Sequence, residues 1–217
     1  MQGLNVIQTA AVMALPLLFA ITVHEAAHGW MARRLGDRTA EMLGRLTLNP
    51  IKHIDPIGTV LVPAILLIAG GFIFGWAKPV PVDPRNLAHP RRDMAAVAAA
   101  GPMANLVMAL IWALIAKLGL VLTPTMPWVG VPLLLMGKTG IFLNSILMVL
   151  NLLPLPPLDG GRVLVGLLPD RLADKVASIE PYGMFILVGL MITGFLGQLI
   201  GPPITLLERL LVMLVGI

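Results

Sequence analysis

Apolar stretches alternate with short polar ones along the chain, at about residues 5–32, 57–76, 94–120, 129–153, 182–200 and 203–217. A helix needs about 20 apolar residues to cross a bilayer. The pattern predicts an all-α polytopic membrane protein with about five to six hydrophobic helices. The last stretch, holding Glu208 and Arg209, is short and reads as a tilted or interfacial helix. The connection "RRLGDRTAEMLGRLTLNPIKHIDP" alternates weakly at "GRLTLNP", which favours turn and strand over helix. Prolines at 79, 81 and 84 in "GWAKPVPVDP" exclude helix and favour extended chain. Pro102 falls near the start of the third stretch, close to where a helix tolerates proline. "NLLPLPPLDGG" at 151–161 breaks the fourth stretch with three prolines and two glycines.

Composition supports a membrane protein. Hydrophobic residues make up 58% of the chain and charged residues 12%, about half the charged fraction of soluble domains. Mean hydropathy is +0.92. The net charge of +4 does not call for a nucleic-acid partner, because Lys and Arg collect in the cytoplasmic loops of membrane proteins. The absence of cysteine excludes disulfides and thiolate metal sites. The first apolar run lacks a basic leader and ends in a polar cluster, so a cleavable signal peptide is not expected. The whole chain, 1–217, reads as a single membrane domain, with a core at about 5–165 and C-terminal helices at about 181–217.

Two places carry chemistry. The first is "TVHEAAHGW" at 22–30, where His24, Glu25 and His28 follow an uncharged run from Leu4 to Val23. Ionisable groups inside an apolar helix cost about 2.5–3.5 kcal/mol each on insertion scales. An accidental cluster is therefore rare there, and His at i and i+4 with Glu beside the first is a zinc pattern. The two imidazoles lie roughly 6 Å apart on one helix face. The second place is Asp159, which ends an uncharged run from Thr139 to Leu158 at the proline break. Non-helical backbone at membrane depth survives only where protein or a water-filled cavity satisfies it. A catalytic zinc takes three protein ligands and keeps one position open, so Asp159 is the best third ligand and Glu25 the general base. Alone, Asp159 would read more readily as a helix cap or a turn former before Gly160; its pairing with the His cluster makes it a ligand candidate. His53 and His89 sit in charged loops and read as structural or solvated. The 13 methionines read as packing and lipid-facing side chains.

"HEAAH" at 24–28 with "NLLPLPPLDGG" at 151–161 resembles the site-2 protease family of intramembrane zinc metalloproteases. "GRLTLNPIKHIDPIG" at 44–58, "GWAKPVPVDPRN" at 75–86 and "AGPMANL" at 100–106 extend the likeness from about residue 20 to residue 165. The resemblance implies one Zn²⁺ per chain on His24, His28 and Asp159, with Glu25 catalytic. It implies cleavage within or near a transmembrane segment of another protein. Asn105 matches the Asn of the family's G-P-x-x-N element, and Asn151 matches a position associated with the active site. The PDZ and CBS modules of many relatives have no counterpart here.

The expected ligands also constrain topology. His28 and Asp159 each close an apolar helix and must meet at one membrane face, so an even number of crossings separates them. Segment 57–76 must then re-enter or return as extended chain. That arrangement places Arg33, Arg34, Arg38, Arg45, Lys52, Arg85, Arg91, Arg92, Arg162, Arg171 and Lys175 on the ligand face and leaves little beyond Lys117 and Lys138 opposite. The positive-inside rule makes the rich face cytoplasmic. The N-terminus is then outside, in a cell membrane. The extended "KPVPV" could hold an unwound substrate segment by strand addition, through free N–H groups of Val80 and Val82, or serve as a plain connector. The rival function is a metal transporter or metal-binding membrane protein using the same His/Asp cluster, in which Glu25 has no work as a base. A third reading, a non-catalytic relative that binds transmembrane helices, conflicts with the intact Glu25.

Overall fold

A computed structural model describes residues 6–62, 64–65 and 75–217. Helices α1 (Val6–Arg34), α2 (Thr39–Met42), α3 (Pro90–Leu122), α4 (Pro127–Asn151), α5 (Asp159–Leu167), α6 (Asp170–Ala177), α7 (Glu180–Ile192) and α8 (Phe195–Val215) follow in chain order. Four of these, α1, α3, α4 and α8, are long and apolar enough to cross a membrane, or up to five spans if the bent α6–α7 pair is one. The chain is an all-helical, polytopic integral membrane protein.

Each long helix begins and ends where local chemistry dictates. Arg33 and Arg34 fill the last turn of α1, where positive charge complements the helix dipole. Gly36, at φ +112°, then turns the chain in a conformation costly for residues with a Cβ. Helix α3 opens with Pro90 in its first turn, and the Asp93 carboxylate accepts the His89 N–H at 2.8 Å, which satisfies one of the free end donors. Helices α3 and α4 form a tight antiparallel hairpin. A Cβ on Gly119 would lie 2.3 Å from the Leu134 nitrogen, and one on Gly137 2.5 Å from the Ala116 nitrogen. Such close backbone packing drives helix association where lipid removes the hydrophobic force. Ala109, Trp112 and Ala113 of α3, Ile141 of α4, and Leu211 and Val215 of α8 form the core away from the polar site.

The connection between α1 and α3 returns to its starting place. Trp76 N–H donates to Gly58 O at 3.1 Å, Thr59 Oγ1 to Trp76 O at 2.9 Å, and Lys78 N–H to His53 O at 2.9 Å. The ends of segment 57–76 are therefore neighbours; residues 63 and 66–74, on which the choice between crossing and re-entry turns, lie outside the described residues. Asn86 Nδ2 donates to Thr39 Oγ1 at 3.2 Å, so the end of α1 and the approach to α3 share one face, as the ligand argument requires.

Three expectations need correction. "GRLTLNP" forms no strand among the described residues. Asn49 instead caps the 3₁₀ turn Pro50–His53, its side chain accepting from Ile51 N–H, because the alternating run is too short to find a partner strand. Pro102 lies inside α3, buried, not near its start. The C-terminal break falls at Gly194, at φ +75°, and α8 runs through Pro202 and Pro203. The last helix is thus the long one. Lys117 Nζ donates to Val215 O, so α8 ends at the far end of α3. Helix α7, about 20 Å long at 1.5 Å per residue, falls short of the roughly 30 Å hydrocarbon.

Candidate metal centre and active site

Helix α1 carries His24, Glu25 and His28 about 10–15 Å before its C-terminal end. The expected ligand atoms converge. His24 Nε2 lies 3.1 Å from His28 Nε2, and Asp159 Oδ2 lies 3.2 Å from the first and 3.4 Å from the second. Asp159 reaches them from the first turn of α5. The preceding loop folds tightly over itself: a Cβ on Gly160 would lie 2.3 Å from Leu152 O, and one on Gly161 2.2 Å from the Pro156 nitrogen. The Asp-Gly-Gly sequence is needed for that compact turn.

Both imidazoles are oriented from behind. His28 Nδ1 donates to Val97 O at 2.8 Å; a carbonyl can only accept, so Nδ1 holds the proton. His24 Nδ1 donates to Asn105 Oδ1 at 2.6 Å. The Asn105 amide is fixed in turn: Nδ2 donates to Ala20 O at 3.2 Å and to Asn144 Oδ1 at 2.9 Å, and Asn144 Nδ2 donates to Gly140 O at 2.8 Å. This buried relay sets the tautomer and leaves both Nε2 lone pairs facing Asp159.

The donor set fits a divalent cation. Two neutral imidazole nitrogens and a carboxylate oxygen aimed at one point repel each other unless a cation lies between them. Asp159 Oδ2 is buried without a hydrogen-bond partner. A tetrahedral ion with bonds of about 2.0–2.1 Å holds its ligands about 3.3 Å apart, close to the three separations found.

The other expected residues divide. Glu25 shares with the histidines a cavity of about 740 Å³ that Val80, Val82, Asn151, Asp159 and Arg162 also line. Asn151 donates Nδ2 to Leu147 O at 3.0 Å within its own helix. Asn105 stands behind His24, not on the cavity. Val80 corrects an expectation: its N–H is not free but donates to Glu25 Oε2 at 2.8 Å, because Val80 lies buried against α1. The Val82 N–H makes no hydrogen bond among the described residues. His53 is buried, with Nε2 on Thr47 O at 2.9 Å, and His89 is exposed at the start of α3. Sequence reasoning does not single out Asn144 or Gly101. Asn144 carried a usable signal, a polar amide inside an apolar helix.

Comparison with known proteins agrees with this arrangement. The model of peptidase family M50 matches residues 12–125. A Bacillus subtilis protein named as zinc metalloprotease YwhC is 41% identical over 189 residues, covering 83% of this chain and 80% of that protein. One from Mycolicibacterium smegmatis named as zinc metalloprotease Rip2 is 33% identical, covering 83% of this chain and 66% of its own length. The regulator of sigma-E protease RseP of Escherichia coli is 34% identical over 95 residues, 42% of this chain and 21% of that one. No solved structure matches. The chain belongs to peptidase family M50, the site-2 proteases, and is an intramembrane metalloprotease.

Proposed function

We propose that the chain is a zinc-dependent endopeptidase that cuts a membrane-protein substrate in or near a transmembrane segment. His24 Nε2, His28 Nε2 and Asp159 Oδ2 hold one zinc. The convergence of these three unprotonated atoms, each 3.1–3.4 Å from the others, carries the reading. The ion supplies a Lewis acid that makes water nucleophilic at neutral pH and polarises the scissile carbonyl. Glu25 takes the proton from water and returns it to the leaving amine. Asn105 and Asn144 keep His24 in the Nδ1–H tautomer, and Asn151 with Val82 lines the place where the unwound substrate lies. A transporter would need a polar path onward from the ions, whereas the far side of the bundle is the apolar core of Ala109, Trp112, Ala113 and Ile141.

The test is the metal itself. Dialysed wild-type protein should hold about one zinc per chain, and a chelator should stop cleavage until zinc is restored. Asn105→Ala should weaken zinc binding by the ~10–100-fold typical of losing the partner behind a ligating His. Cleavage that survives complete zinc removal would end the proposal.

The orientation is part of the proposal. The Arg-rich face beside the site is cytoplasmic and the N-terminus is outside a cell membrane. In this cysteine-free chain, a membrane-impermeant thiol reagent added to intact cells should label Thr125→Cys, in the exposed α3–α4 turn. It should spare Arg38→Cys and Arg85→Cys, whose side chains are exposed on the opposite face. The reverse pattern would invert the topology.

A further inference from the structure

We propose that the extended segment Lys78–Asp83 positions the general base, with the Val80 N–H holding Glu25 Oε2 and Asp37 holding the segment. This rests on Glu25 being the base, and adds how its carboxylate is aimed. The bond from Val80 N–H to Glu25 Oε2 is 2.8 Å and joins residues 55 apart in sequence. No hydrogen bond is made by Oε1 among the described residues, so one oxygen is fixed and the other is left to take a proton. A neutral N–H holds the carboxylate without pairing its charge, as Lys or Arg would.

The segment is built for that single contact. Pro79 and Pro81 have no N–H, so no neighbouring donor competes with Val80. Gly29, one turn after Glu25, lets the segment lie against α1: a Cβ there would come within 2.9 Å of Val80 Cγ1. Both ends are clamped. At one end Lys78 N–H donates to His53 O at 2.9 Å, and Arg45 Nη2 donates to Lys78 O at 2.9 Å and Pro79 O at 3.3 Å. At the other end Asp83 N–H donates to Asp37 Oδ2 at 2.8 Å.

Asp37 is fully buried, a costly place for a carboxylate unless its oxygens are satisfied. Its Oδ1 accepts from Thr39 N–H at 3.0 Å, Thr39 Oγ1 at 2.5 Å and Asn86 Nδ2 at 2.8 Å. Burial alone would raise the Asp37 carboxyl, but the bonds from Thr39, Asn86 and Asp83 outweigh it and hold it below the ordinary carboxylate range. Asp37 touches neither the cavity nor the expected ligands. It acts through Asp83, Val80 and Glu25 in turn, as a positioning residue.

The experiment uses the full chain in detergent cleaving a single-span transmembrane reporter peptide, with kcat, KM, zinc content and thermal stability measured together. Val80→Ala removes the side chain and keeps the N–H, so it is the reference for Val80→Pro, which removes the donor from a segment already shaped by two prolines. Relative to Val80→Ala, Val80→Pro should lower kcat about 10–100-fold, the scale of a misplaced catalytic group, with KM and zinc content retained. Asp37→Asn sets an amide N–H₂ or a second use of one oxygen against the Asp83 N–H, and should lower kcat in the same way. Combining Asp37→Asn with Val80→Pro should add little further loss, because one contact is lost only once. Equal kcat in Val80→Pro and Val80→Ala, with Glu25→Gln inactive, would overturn the positioning role and leave the base intact. Multiplying losses in the double variant would overturn the route through the segment. An active Glu25→Gln would instead overturn the underlying function.

Discussion

Glu25→Gln is expected to lower proteolysis by about 10²–10⁴-fold, while the protein keeps its zinc. Glutamine has the shape of glutamate, and its carbonyl oxygen can still accept the Val80 N–H that now holds Oε2 at 2.8 Å. The side chain therefore stays in the cavity beside His24 and His28. What disappears is the capacity to take a proton from water and hand it to the leaving amine. The loss corresponds to about 3–5 kcal/mol of barrier, far beyond the effect of a swapped hydrogen-bond partner. Zinc content should not change, since the proposed ligands are His24, His28 and Asp159 and each imidazole is oriented by Val97 O or Asn105. The comparison separates the protease from a metal transporter. A transporter has no proton to move at Glu25, so transport by Glu25→Gln would match wild type. Near wild-type cleavage by Glu25→Gln, measured with zinc on the same sample, would sink the general-base assignment.

The parts of this site legible in the sequence are those where a polar group breaks an apolar pattern. His24, Glu25, His28 and Asp159 each interrupt a long uncharged run, and the cost of placing them there is what makes them conspicuous. The proline break after Asn151 and the extended chain at Pro79–Pro81 follow from local backbone chemistry and needed no tertiary information. Elsewhere the deciding interactions are long-range. Nothing near Val80 says that its N–H meets Glu25; the clamps from Arg45, His53 and Asp37 settle it, and they lie 27 to 43 residues before Val80. The C-terminal boundary depends on two rules that pull opposite ways. Proline usually ends a helix, but in a membrane helix the freed carbonyls find other partners, so Pro202 and Pro203 lie inside α8. Gly194, with its positive φ, makes the turn instead. Gly101 is the extreme case, because a residue with no side chain leaves no chemical trace of what it makes room for.

Gly101→Ala is expected to empty the metal site. Glycine in a helix interior is worse than alanine by about 0.8–1 kcal/mol, so on backbone grounds alone the substitution should stabilise α3. The site reverses that sign. A Cβ at position 101 would lie 2.5 Å from both Cε1 and Nε2 of His28 and 2.6 Å from Cε1 of His24. Neither ring can move aside cheaply. His24 is tied through Asn105 to Asn144, and His28 to Val97 O on the same helix that carries the new methyl. The rings must therefore turn, and turning them takes both Nε2 atoms out of register with Asp159 Oδ2. Overpacking of this kind costs typically about 1–3 kcal/mol, which leaves the chain folded. Zinc retained after dialysis should fall well below one per chain, and cleavage should drop at least the ~10²-fold that accompanies a misplacement of about 1 Å. Thermal stability of the chelator-treated protein should move far less, because the helix gains in propensity part of what it loses in packing. A Gly101→Ala protein that keeps one zinc and cleaves at the wild-type rate would mean that α1 and α3 do not meet over the two imidazoles, and that His24 and His28 are held in some other way.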